Sequence, residues 1–248
     1  MIQDLHSHTY YSFCGRDRPE AVIETAAAGG IERLGITDHN YGVGYGSAAV
    51  FYSGLPIPHT YAGALDRYYD HMALVRERYD GRIRILLGLE VCTLGGPSYP
   101  NHPLPEDADV SRFDFLLLEH IDKPESIVTD LFSYAASLRC PVTGLAHTDL
   151  FAYMKKIGAD PYDYLSRMAE AGIFWEMNVN YDSIHGYHVH EYVTDFFENE
   201  EQQDLVRRAG TLVSVGFDGH RAEDYLPERV KDYNDRLDKL GIKKPFDV

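Results

Sequence analysis

The feature that most constrains this chain is an alternation of seven short apolar runs, most of them closing on a polar or metal-capable residue, with stretches of helical character. The runs are Ile2–His8, Arg33–His39, Ile83–Val91, Phe113–Ile121, Pro141–Thr148, Ile173–Asn180 and Thr211–His220. Helical patterning occupies Pro19–Ala28, Leu65–Tyr79, Glu125–Leu138, Pro161–Ala171, His190–Ala209 and Glu223–Leu240. Apolar strands joined through helices form a parallel sheet with crossovers. Pro19 stands where the first helix begins and Gly29-Gly30 where it stops, which is the usual start and stop chemistry. Asn40–Tyr61, rich in Gly and Tyr, reads as a long loop over one end. A chain of 248 residues with this alternation predicts one α/β domain over 1–248, a closed or nearly closed seven-stranded barrel. Barrel enzymes carry their chemistry at the carboxyl ends of the strands, so the residues that close the runs are predicted to share one location.

Those residues form a consistent set. His6 and His8 stand two apart, and on a strand both imidazoles face one side. Asp38-His39 closes the second run, and Glu90 terminates a nearly continuous apolar strand, where a carboxylate needs a partner or a metal. His120 and His147 end the fourth and fifth runs, and Asp218-Gly219-His220 repeats the first spacing at the seventh. Apart from Glu90, whose functional reading is favoured, each alone is as readily a strand-end or surface residue. Together they exceed one tetrahedral shell, and a mixed imidazole and carboxylate set suits zinc, iron or manganese better than magnesium or calcium. Two or three divalent ions are therefore expected.

Charge and composition narrow the function classes. The net charge of −16 disfavours non-specific attraction to nucleic acid or anionic membrane, while bound cations would still present positive charge to a phosphate. Cys14, Cys92 and Cys140 are too few and scattered for a disulfide framework, which points to a reducing compartment. The opening Met-Ile-Gln-Asp-Leu-His shows no basic region or long apolar run, so no signal peptide or membrane span is read and a cytoplasmic protein is expected. No Gly-rich phosphate loop, dinucleotide fingerprint or Gly-x-Ser-x-Gly elbow occurs. Oligomeric state is not encoded in any pattern found.

The segments DLHSHTYYS near the start, GITDH (35–39), RIRILLGLEV (82–91), FDFLLLEH (113–120), GLAHTD (144–149) and VGFDGHRAED (215–224) resemble, in order, the motifs of the PHP family, named for polymerase and histidinol phosphatase. RYYDHMALVRERYDGRIRILLGLEV is similar to the helix and third strand of histidinol-phosphatase-like members. The resemblance implies a distorted (β/α)7 barrel with up to three metals at the carboxyl ends of its strands. It implies that His6, His8, Glu90 and Asp218 hold one metal, that Glu90 bridges to a second held by His120 and His147, and that His39 and His220 hold a third. Where the family often supplies another His or Asp, this chain reads Cys14-Gly15-Arg16-Asp17; Asp17 is taken as the ligand, with Cys14 the alternative. The family's small residue and Val before the fourth-strand His are here Leu118 and Glu119.

The reading is hydrolysis of a small phosphomonoester by a metal-activated water, with Glu90, Asp218 and His220 catalytic and no covalent intermediate. Arg221 is a candidate phosphate clamp, and Asn178, with Asn180 beside it, a candidate substrate contact. His185, His188 and His190 read as a polar loop near the mouth, and Tyr41, Tyr45 and Tyr52 as loop or pocket residues. The alternatives are a nuclease or phosphodiesterase, for which a basic and aromatic strip is missing, a metal-binding regulatory module without turnover, and an amide or lactone hydrolase.

Overall fold

The computed structural model describes residues 1–43, 61–95, 103–106 and 108–247. Seven strands lie in sequence order in one parallel sheet: β1 Gln3–Asp4, β2 Arg33–Ile36, β3 Arg84–Cys92, β4 Phe115–Glu119, β5 Thr143–Leu145, β6 Ile173–Asn178 and β7 Val213–Gly216. The described helices are α1 Pro19–Ala28, α2 Asn40–Val43, α3 Tyr61–Arg78, α4 Leu131–Ser137, α5 Leu150–Ile157, α6 Pro161–Glu170, α7 Glu191–Glu198, α8 Glu200–Ala209 and α9 Pro227–Leu240, with a 3-10 turn at Ala222–Asp224. Strand order equal to chain order is what right-handed crossovers give when each strand is laid beside the last.

The two outer strands meet, so the sheet is nearly closed into the distorted (β/α)7 barrel that the alternation predicts. Leu5 N–H donates to Val215 O at 2.9 Å, Asp218 N–H to His6 O at 2.8 Å and His8 N–H to Gly219 O at 2.8 Å. Asp4 supplements this seam: Oδ1 accepts from His6 N at 3.2 Å and from Phe217 N at 2.9 Å, and Oδ2 from the Tyr225 hydroxyl at 2.7 Å.

Strand periodicity sorts side chains into two layers. Outward residues such as Leu34, Ile36, Ile85, Leu87, Leu89, Leu116, Leu118, Val213 and Val215 pack with Ile23, Met72, Leu165, Val206 and Leu237 of the helices. Inward residues at the lower level, Leu86, Phe115, Leu117, Ala146 and Phe174, form a separate apolar plug with Leu5. Two residues further along the same inward faces, the plug gives way to Glu90 after Gly88, Glu119 after Leu117, and Glu176 after Phe174. The barrel interior is thus apolar below and charged above. Gly144 belongs to the plug: a Cβ there would sit 2.2 Å from the Phe174 ring.

The elements differ from the sequence expectation in five places. The fourth helix begins at Leu131 rather than Glu125, capped by Asp130, whose side chain accepts from Ser133 N. An unexpected helix, α5, follows β5, started by Asp149, whose carboxylate accepts from Ala152 N, and ended by Gly158 in left-handed conformation (φ 68°). The stretch His190–Ala209 is two helices because Asn199, extended at φ −109°, leaves the first and caps the second. The stretch from Glu223 to Leu240 is a 3-10 turn followed by α9, with Pro227 in the first turn of the latter. Of the loop expected at Asn40–Tyr61, residues 40–43 form α2 and Tyr61 opens α3; positions 44–60, with Tyr45 and Tyr52, lie outside the described residues.

Candidate metal centre

The charged layer gathers residues from most of the strands at one end of the barrel. His6, His8, Asp38, Glu90 and Asp218 are each at most 5% exposed, and His39 and His220 at most 8%. Three residues at this level take a left-handed backbone that non-glycine residues rarely adopt: His120 (φ 67°), His147 (φ 29°) and Asp218 (φ 55°). Such strain persists only where the surroundings impose it.

The ligand atoms are spaced like the edges of coordination polyhedra. His6 Nε2 lies 3.1 Å from His8 Nε2, 3.4 Å from Glu90 Oε2 and 3.5 Å from Asp218 Oδ1. His8 Nε2 lies 3.4 Å from Glu90 Oε2 and 3.1 Å from Asp218 Oδ1. Atoms each about 2.0–2.2 Å from one ion stand about 3.0–3.5 Å apart in octahedral or tetrahedral arrangement, so His6, His8 and Glu90 fit a single metal, with Asp218 adjoining the two imidazoles. The other oxygen of Glu90, Oε1, is 2.9 Å from His147 Nε2, which leaves the carboxylate facing two groups at once. Buried Glu119 Oε1 and Asp182 Oδ2 have no hydrogen-bond partner, and His39 Nδ1 and Glu90 Oε2, 2.9 Å apart, form an ion pair without hydrogen-bond geometry; a cation would satisfy all four. The residues present therefore fit a metal cluster.

Charges within the set are strongly coupled. Burial pulls the His6 pKa down, but Glu176, Asp218 and Glu90 outweigh it and hold the imidazole well above its usual value. Burial likewise opposes His147, whose hydrogen bond to Glu90 raises it to about 9. Glu90 and Asp218 are held well below the carboxylate range, against burial, by the histidines around them. His8 and His220 are pushed down, first by burial and then by neighbouring histidine. Protons here occupy places that a divalent cation would compete for.

Three residues that the run-ending pattern overlooks are part of the centre. Glu176 Oε1 sits 2.7 Å from His6 Nδ1, and its Oε2 accepts from His147 N at 2.7 Å, so one buried carboxylate holds the ring of His6 and the backbone of His147. It fits because β7 carries Gly216, where a Cβ would lie 2.0 Å from Glu176 Oε1. Glu119 lies 2.9 Å from His120 Nε2. Asp182 holds His185 Nδ1 at 2.7 Å, and with His220 these form a further group able to take a metal. The signal for Glu119 and Glu176 was period-two alternation: each stands two residues beyond an inward apolar side chain.

The expected ligands fall as follows. His6, His8, His39, Glu90, His147, Asp218 and His220 converge, and His120 flanks them with its side chain 24% exposed. Asp17 does not converge: its carboxylate accepts from Ala222 N at 2.8 Å, at the start of the 3-10 turn. Cys14, the alternative, stands with His8, His39 and His220 in one group of ligand atoms. Asp38 serves the loop after β1, accepting from Thr9 N, Ser12 N, the Ser12 hydroxyl and the Tyr68 hydroxyl at 2.7–3.1 Å. Ser12 Oγ in turn reaches His8 Nδ1 at 3.1 Å. Asn178, fully buried, turns its amide Nδ2 to Asp218 Oδ2 at 3.2 Å and so orients that carboxylate. Asn180 lies 3.4 Å from His190 Nε2, and the His190 ring stacks 6.1 Å from His147. Arg221 lines a small apolar crevice with Val22 and Thr25 of α1 and Tyr225, its nearest carboxylate being Glu223 at 3.8 Å. Tyr41 is buried, its ring stacked 4.7 Å from His39.

A broad cleft lies at the other end of the barrel, where Arg76, Arg82 and Arg84 face Glu32, Asp80 and Asp114. Its charges are of both signs and partly paired, as Arg76 with Asp114 at 3.1 Å, whereas His39, Glu90, Glu119 and Asp182, each with a buried unsatisfied atom, belong to the charged layer. Among the described residues, no helix is long and apolar enough to cross a membrane.

A search of curated proteins finds no match. Among solved structures, the chain is similar to the histidinol phosphate phosphatase HisK from Lactococcus lactis, crystallised with zinc, L-histidinol and phosphate. The two share 17% identity at a TM-score of 0.58, with 98% of this chain and 95% of that one covered. It also aligns with a Listeria monocytogenes protein provisionally assigned as histidinol phosphatase hisK, at 14% identity and a TM-score of 0.40, covering 98% of this chain and 92% of that one. The first establishes likeness of fold. The PHP domain model matches residues 4–240, nearly the whole sequence, and the chain therefore belongs to the PHP family.

Proposed function

We propose that this protein is a metal-dependent phosphoesterase that hydrolyses a small phosphomonoester at a centre of two or three divalent ions, carried on one domain over 1–248. The observation that carries the reading is the set of three buried ligand atoms from His6, His8 and Glu90, 3.1–3.4 Å apart, with Asp218 Oδ1 3.1–3.5 Å from the two imidazoles. Glu90 extends the set toward His147, with His120 beside it, and Cys14, His39 and His220 offer a further group that shares His8.

Bound divalent ions supply Lewis-acid polarisation of phosphoryl oxygens and lower the pKa of water. The chain's own groups do the positioning. Glu176 fixes the ring of His6 and the backbone of His147, and Asn178 fixes Asp218. Glu90, Asp218 and His220 are the residues on which turnover depends. His120, His147 and His185 are 20–27% exposed at their side chains while their neighbours are buried, so the ester enters on that flank. A net charge of −16 favours a small anion met by bound cations over a nucleic-acid strand met by protein surface. The likeness of fold to histidinol phosphate phosphatase makes histidinol phosphate the first substrate to try.

The test is a comparison of kcat/KM for histidinol phosphate, other small monoesters, a phosphodiester and single-stranded DNA, with zinc, manganese and iron supplied separately. The expected result is faster cleavage of a small monoester with at least one metal. Preference for the diester or DNA with every metal would overturn the monoester reading and favour the nuclease; preference for another monoester would remove histidinol phosphate alone.

A further inference from the structure

One carboxylate of the charged layer has no role in the reading above. Glu119 lies on the inward face of β4, following Phe115 and Leu117 of the apolar plug, and is only 3% exposed. Its oxygens diverge: Oε2 is 2.9 Å from His120 Nε2, and Oε1 is 3.6 Å from His39 Nδ1. Oε1 has no hydrogen-bond partner, and neither do Glu90 Oε2 and His39 Nδ1 beside it, although those two approach to 2.9 Å. Ligand atoms of His39, Glu90 and Glu119 all lie within 4.8 Å of one another. Two carboxylates buried side by side repel, the one imidazole between them is paired with Glu90, and Glu119 Oε1 is left unpartnered in the interior, which is strongly disfavoured. A divalent cation among them satisfies all three.

We infer that Glu119 is itself a metal ligand, a second carboxylate beside Glu90 that joins the His39 side of the centre to the His120 side. The inference rests on the metal-centre reading and adds to it an anion where the family resemblance places a Val. An oxygen donor at this point makes the local set one imidazole and two carboxylates, which suits manganese or iron more than the His-rich part does.

The experiment compares unaltered protein, Glu119→Gln and Glu119→Ala. Metal content is read by elemental analysis after dialysis, and manganese and zinc affinity by competition with a chromophoric chelator, with thermal melts to confirm folding. Glutamine keeps an acceptor for the His120 ring but carries no charge. The expected result is that Glu119→Gln, folded like the parent, binds at least one ion about tenfold or more weakly. Unchanged stoichiometry and affinity in Glu119→Gln would overturn the inference, and loss confined to Glu119→Ala would leave Glu119 a positioning partner of His120. If the alanine variant fails to fold, the glutamine variant alone decides. Unaltered protein that holds no metal would overturn the metal-centre reading itself, an outcome distinct from failure at Glu119.

Discussion

At the scale of single residues, burial and partners decide roles that residue type leaves open. Glu90 was legible because it ends an apolar strand, and a carboxylate in that position has few alternatives to a cation. Glu176 sits between Trp175 and Met177 in an equally apolar strand, and the same reasoning applied to strand interiors would have singled it out. Cys14 and Asp17 show what sequence could not resolve. Both follow the first strand by a few residues, and only the backbone path sends one toward His39 and the other toward Ala222. The prediction is that Cys14→Ser lowers metal content by one ion or weakens its binding, while Asp17→Asn leaves metal content unchanged. Elemental analysis of both variants checks it. Loss of metal from Asp17→Asn with retention in Cys14→Ser would restore the carboxylate assignment.

At the scale of elements, apolar runs located all seven strands, because strands buried on both faces are apolar throughout. Helix boundaries were less legible. Asn199, an ordinary polar residue in an amphipathic stretch, interrupts it only because its extended backbone lets the side chain cap α8 at Gln202 N. The short α5 escaped notice since its eight residues are few, although Leu150, Tyr153 and Met154 bury one face. The two-layer interior has a mechanical consequence: the charged layer rests on the plug of Leu5, Leu86, Phe115, Leu117, Ala146 and Phe174. Gly144→Ala would drive a methyl into the Phe174 ring and is expected to destabilise by about 1–3 kcal/mol, the usual cost of overpacking. Urea unfolding measures this; an unchanged midpoint would mean that the plug yields, and that it does not set the level of the residues above it.

At the scale of the whole molecule, the fold class followed from the alternation, while closure depended on a detail no pattern announces. β1 is two residues long, and its continuation through His8 pairs with residues 215–219 to complete the ring. That seam brings His6 and His8 against Asp218 and His220, so the same hydrogen bonds that close the barrel assemble the first metal group. A site built from both ends of the chain and most of the strands accounts for its scattering in sequence. The central claim is that these residues form one polynuclear centre that hydrolyses phosphate esters. The most direct measurement is phosphate release from chelator-stripped protein as zinc, manganese or iron is added back, plotted against metal equivalents bound per chain. Activity absent without metal and reaching its plateau only after more than one bound equivalent is the predicted result; full turnover by stripped protein, or a plateau of phosphate release reached below one bound equivalent, would contradict the account.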